Sequence, residues 1–176
     1  GWDPYDGLNS KLFNATPLKH WDIARWAWIQ AFKLSPINFR RLLSVPKEHN
    51  SKGIALFLLG YCKLYKLAVK GYEDFGTKEE LLNKIKELTI LLLNLRSKGY
   101  LGSCWGYNFD WQARRLFLFQ KNTPTVVATC FAVEALLESY EITKDENVLK
   151  ETLSASDFVI NDLSRTESKG GFLFSY

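Results

Sequence analysis

Two stretches of this chain carry the same helical pattern at one constant offset. Leu81, Ile85, Leu92 and Leu95 of the first correspond, without a gap, to Leu149, Leu153, Ile160 and Leu163 of the second. Each stretch is followed by a Lys-Gly pair, Lys98-Gly99 and Lys169-Gly170. A run rich in glycine and aromatics comes next, Gly102-Ser103-Cys104-Trp105-Gly106-Tyr107 and Gly171-Phe172-Leu173-Phe174-Ser175-Tyr176. A unit of about seventy residues with two helices cannot cover its own apolar face, so neighbouring units must stack on it. The pattern predicts an all-α chain of helical hairpins in a solenoid or toroid.

Local signals place the helices. Residues 1–15 read as loop, with turn formers at Asp3-Pro4 and Asp6-Gly7. Thr16-Pro17 opens a helix that carries Trp21, Ala24, Trp28 and Ala31 to about residue 33, and Ser35-Pro36 opens a short one to about Leu43. A third helix runs from about Lys52 to Val69, with Leu58, Cys62, Tyr65 and Val69 in line. Thr77 to Glu80 is a capping box opening a fourth helix, with the stripe Leu81, Ile85, Leu88, Leu92, Leu95. Thr123-Pro124 starts a fifth helix ending near Tyr140. A second box at Thr143 to Glu146 starts a sixth that ends near Leu163. Strand character is confined to Leu116–Phe119, and the chain ends within a loop that should lead to a further helix.

Composition narrows the function classes. The net charge is +4, with Lys and Glu interspersed, which suits a solvated surface and gives no block for nucleic acid. Cys62, Cys104 and Cys130 are odd in number and lack CxxC spacing, so neither a complete disulfide framework nor a zinc site is indicated. Cys62 and Cys130 fall in apolar helices and read as small hydrophobes in a reducing, cytoplasmic setting. No stretch is long and apolar enough to span a membrane. His20 and His49 have no matching ligands, Glu134 sits among apolar neighbours, and no nucleotide-binding or hydrolase motif occurs. No metal and no cofactor is predicted.

The aromatic fraction, 15% with six tryptophans, either fills a thick core or lines a cleft. The long connection over residues 99–123 is where the second role fits. Trp105, Tyr107 and Trp111 can present flat faces to sugar rings, while Gln112, Arg114 and Arg115 bond hydroxyls or carboxylates. In the bland alternative the aromatics plug the hairpin tops and Asp110 pairs with Arg114. Asp3 and Asp6, in Trp2-Asp3-Pro4-Tyr5-Asp6-Gly7, serve as ordinary turn residues or, with Asp110, as a catalytic carboxylate cluster.

The pairing of Trp-Asp-Pro-Tyr-Asp-Gly-Leu-Asn-Ser at 2–10 with Cys-Trp-Gly-Tyr-Asn-Phe-Asp-Trp-Gln at 104–112 resembles a group of bacterial and archaeal proteins encoded with polysaccharide-biosynthesis genes. Those are (α/α) toroids related to the six-hairpin glycosidase and terpenoid-cyclase superfolds. The resemblance implies a ring of about twelve helices, of which this chain, a single helical domain over residues 1–176, supplies half. The run at 98–106 is also similar to the glycine-tryptophan repeats of triterpene cyclases, but the acidic Asp-x-Asp-Asp motif of those enzymes is absent.

The resulting expectation is a protein that binds or processes carbohydrate in making or modifying a polysaccharide. An isoprenoid-handling toroid or a non-catalytic helical scaffold is the alternative. A deep greasy pocket would favour isoprenoid, an open polar groove sugar. The lack of methionine predicts a fragment of a longer protein, and half a ring predicts self-association or a missing C-terminal portion over its open sides.

Overall fold

Four of the five prolines fall before residue 50, where most elements are short, and the three longest helices come after it. The computed structural model describes residues 1–114 and 117–175. Its contacts fall into two compact units, Gly1–Asn50 with Tyr107–Thr123, and Ser51–Gly106 with Pro124–Tyr176. The described residues are mostly helical with two small two-stranded sheets, so the all-α expectation holds only in its coarser form.

In the first unit, residues 1–15 are more ordered than a loop. A 3₁₀ turn covers Asp6–Asn9, and Ser10 caps the single-turn helix α1 (Lys11–Asn14) by accepting the Phe13 N–H at 3.2 Å. Thr16 does not open the next helix, because its hydroxyl donates back to the Phe13 carbonyl at 2.8 Å. Pro17–His20 form another 3₁₀ turn, Trp21 is extended, and α2 begins at Asp22 and ends at Leu34. The helix expected over 35–43 is absent. Ser35 and Asn38 bond their own backbone, Ser35 Oγ with the Ile37 N–H and carbonyl and Asn38 Oδ1 with the Arg40 N–H. Such local bonds compete with helix propagation. Trp111–Gln112 (β1) and Leu118–Phe119 (β2) pair antiparallel, with Trp111 opposite Phe119. Leu8, Phe13 and Ile29 form the core, with Trp28 and Trp111 packed against it.

The second unit holds two helical hairpins, as the repeat requires. The first is α3 (Ser51–Val69) and α4 (Lys78–Asn94); the second is α5 (Val126–Thr143) and α6 (Glu146–Asp157). Thr77 and Glu80 make both bonds of the capping box. Ala128, Ala132 and Ala135 are fully buried in the core that α5 shares with Leu58, Cys62, Ile85 and Leu92. The second capping box is not formed. Thr143 is the last residue of α5, with its hydroxyl on the Ser139 carbonyl, and Asp145 caps α6 through the Asn147 N–H.

The internal match also breaks down in α6. Leu81, Ile85 and Leu92 are buried, but their counterparts Leu153 and Ile160 are more than half exposed. The buried face lies one to two residues earlier, at Val148, Thr152, Ala155 and Phe158. After a π turn over Phe158–Asp162, the chain does not remain a loop. Arg165–Ser168 (β3) and Gly171–Phe174 (β4) form a hairpin, turned at Gly170 with φ +93. Cys62 and Cys104 are buried, whereas Cys130 is exposed and is not the core residue its neighbours suggested. Glu134, His20 and His49 are likewise exposed.

Candidate functional site

The residues expected to hold a ligand divide between the two units. In the first unit Asp6 is 2% exposed, with Oδ1 accepting from Arg40 Nε at 2.7 Å and Oδ2 from the Asp3 N–H at 2.9 Å. Burial pushes its carboxyl up, more than the Arg40 bond and the Asp3 N–H pull it down. Asp3 Oδ1 accepts the Tyr5 N–H, and its Oδ2 takes Asn50 Nδ2 at 3.0 Å. Asp3 and Asp6 thus meet inside a closed set of bonds that fixes the 3–6 turn. Asp110 accepts the Lys121 N–H at 2.6 Å rather than pairing with Arg114, which sits over the Trp26 ring.

The aromatics of the same segment are also engaged. Tyr107 stacks on Phe109, and Trp111 stacks on Phe119 at 5.8 Å while packing on the core. Gln112 is 4% exposed, accepting from Arg25 Nε at 2.8 Å and donating to the Ala113 and Phe117 carbonyls. Arg115 lies outside the described residues. Trp105 belongs to the second unit and is fully buried, its indole N–H donating to the Leu92 carbonyl at 2.8 Å. In this structure it closes the hairpin core and presents no face to a ligand.

An opening among the described residues is formed by the first half of the glycine-aromatic run. A cleft of about 480 Å³ is lined by the end of α4, the loop from Arg96 to Ser103, and Glu151 and Ser154 of α6. That volume is in the range of small-ligand sites. Gly102 makes the arrangement possible. A Cβ there would lie 2.5 Å from the Phe158 nitrogen and closer still to the Ser154 carbonyl oxygen, so only glycine lets the loop rest on the α6 backbone. The Ser103 N–H then reaches Ser154 Oγ at 3.2 Å, and the Leu101 N–H reaches Asp162 Oδ2 at 2.8 Å.

A charged network lies on this seat. Glu151 Oε2 accepts from Ser103 Oγ at 2.7 Å and from Arg96 Nη1, and Arg96 Nε donates to the Leu93 carbonyl at 3.0 Å. The Ser103 hydroxyl, reinforced by Arg96, holds the Glu151 carboxyl below the ordinary glutamate range. Tyr100 meets Phe158 edge to face and stays 41% exposed. Cys104, beneath the loop, is pushed up to about 12, chiefly by burial. Donors, a carboxylate, hydroxyls and one aromatic ring thus meet on a single wall.

No protein-family model, curated protein or solved structure matches this chain. Among the described residues no group of three or more His, Cys, Asp or Glu is placed to hold a metal ion. No described helix is long and apolar enough to cross a membrane. Sequence reasoning marked the 98–103 loop by its glycines but missed Arg96, Glu151 and Ser154. The only local signal for the latter two was their i,i+3 spacing on one face of α6.

Proposed function

We propose that this protein binds carbohydrate in the making or modification of a polysaccharide, and that the ligand sits in the cleft between the 96–103 loop and α6. The observation that carries the reading is the cleft's polar lining. Arg96, Ser103, Glu151 and Ser154 offer donors and acceptors at short range, and the half-exposed Tyr100 ring supplies an apolar face. Sugars present that combination of hydroxyl edges and C–H faces. An isoprenoid chain would strip water from the paired Arg96 and Glu151 while offering neither a hydrogen bond, an unfavourable exchange.

Binding rather than hydrolysis suits the lining. Glycoside cleavage by acid and base uses two carboxyls about 5–9.5 Å apart. Glu151 is the only carboxylate on the cleft wall among the described residues. The proposal includes the ring architecture, with the two hairpins of the second unit as repeats of an (α/α) toroid, and a cytoplasmic setting. The ring rests on the internal repeat and the sequence resemblance, and the setting on the three free cysteines.

The test is a glycan array followed by calorimetry on the best ligand. Glu151→Gln and Tyr100→Ala should each weaken binding about tenfold, while Trp111→Ala leaves it intact. Loss of binding in Trp111→Ala alone would move the site to the 107–114 segment. An array without any bound glycan defeats the carbohydrate reading. The scaffold alternative draws on the exposed Leu153, Ile160, Phe172 and Leu173, and recovery of a stoichiometric protein partner without glycan would favour it.

A further inference from the structure

We propose that the glycan is acidic, with a sugar carboxylate held by Lys98 and the backbone N–H groups of the 98–100 turn. Its neighbouring hydroxyls then fall to Arg96, Ser103 and Ser154. This rests on the reading of the cleft as a carbohydrate site. Among the described residues three charged side chains line it, Arg96, Lys98 and Glu151. Arg96 and Glu151 satisfy one another. Lys98 is exposed and, among the described residues, has neither an ion-pair partner nor a hydrogen-bond acceptor. A cation left over beside a neutralised pair favours an anionic ligand.

The backbone points the same way. The Lys98, Gly99 and Tyr100 N–H groups have no acceptor among the described residues, although the N–H groups on either side, at Ser97 and Leu101, are bonded to Cys104 O and Asp162 Oδ2. Gly99 turns the chain there with φ +91. Successive unpaired N–H groups around a left-handed residue form a concavity suited to an anion. The surrounding charges limit how much negative charge is tolerated. Lys150 acts on Glu151 from its own helix, while Asp162 bonds the Leu101 N–H and does not line the cleft. Arg96, Lys98 and Lys150 against Glu151 and Asp162 leave one net positive charge. That matches a single carboxylate, as on a hexuronate, better than a polyanion.

The experiment uses the full chain and a panel of neutral oligosaccharides each carrying one terminal galacturonate, glucuronate or mannuronate, each paired with its carboxyl-reduced counterpart. Binding is measured at low salt and in about 0.5 M NaCl, where the Debye length falls to a few ångströms. At least one acid should bind about tenfold or more tightly than its reduced partner at low salt. The preference should fall below about threefold in high salt and in Lys98→Gln, and return in Lys98→Arg. Reduced sugars binding as tightly as the acids, or an undiminished preference in Lys98→Gln, overturns this inference and leaves the carbohydrate reading standing. If neither acidic nor reduced sugars bind, the carbohydrate reading fails with it.

Discussion

Replacing Gly102 by alanine tests the seat on which the cleft is built. The new Cβ would meet backbone atoms, the Ser154 carbonyl oxygen and the Phe158 nitrogen at 2.5 Å, and neither can rotate away as a side chain would. Restoring ordinary contact requires the loop to retreat by about an ångström, enough to break hydrogen bonds that start near 3 Å. Three bonds cross that gap: Ser103 N–H to Ser154 Oγ, Ser103 Oγ to Glu151, and Leu101 N–H to Asp162. A neutral bond contributes about 0.5–1.5 kcal/mol net and one to a charged group about 1.5–3. Water replaces some of these partners at an exposed loop, so the expected loss is about 2–4 kcal/mol.

Gly99→Ala is the control. Its φ is +91 but a Cβ there meets nothing within 4 Å, so its cost is conformational alone, about 1–2 kcal/mol. Urea unfolding of both variants should rank Gly102→Ala as the more destabilised, with glycan binding lost. A Gly102→Ala protein no less stable than Gly99→Ala would refute the claim that the loop rests on α6.

Other outcomes follow from the same contacts. Asp6→Ala should destabilise the chain by about 3 kcal/mol or more in denaturant titrations, because it strands the largely buried Arg40, yet leave glycan affinity unchanged; a change in affinity without unfolding would return Asp6 to the site. Trp105→Phe should cost about 2 kcal/mol through the lost bond to the Leu92 carbonyl and a smaller ring, and a melting temperature equal to wild type would remove Trp105 from the core account. The folded-state pKa of Glu151 is depressed, so its contribution is present at neutral pH and lost as pH falls through that value. The stability gap between wild type and Glu151→Gln should therefore be full above the ordinary glutamate range, narrow as pH falls through that range and vanish only below it; a gap already gone at higher pH contradicts the assignment.

Elements whose signals are local were legible in the sequence. Thr77 and Glu80 satisfy one another within a single turn, so α4 starts where its residues say it must. Ser35 and Asn38 were equally local, but their side chains can serve a cap or a turn, and Pro36 fits both. The repeat misled in α6 for a different reason. Val148, Thr152, Ala155 and Phe158 form a stripe as regular as Leu149, Leu153 and Ile160, and which one is buried depends on α5 and the 96–104 loop. The cleft was half visible for the same cause. Its glycines lie together in the chain, whereas the Arg96–Glu151 pair joins residues 55 apart.

The three thiols give this chain a built-in gauge of its own unfolding. Cys62 and Cys104 are fully buried and pushed up to about 12, which leaves about one part in 10⁵ of each as thiolate at pH 7. Cys130 lies exposed on α5. A maleimide dye added to the folded protein should accordingly couple at one position without any mutation. The second and third equivalents become reactive only when the hairpin core opens, Cys104 by release of the loop and Cys62 by separation of α3 from its neighbours. Their order of labelling would distinguish an opening of the cleft from a collapse of the whole unit.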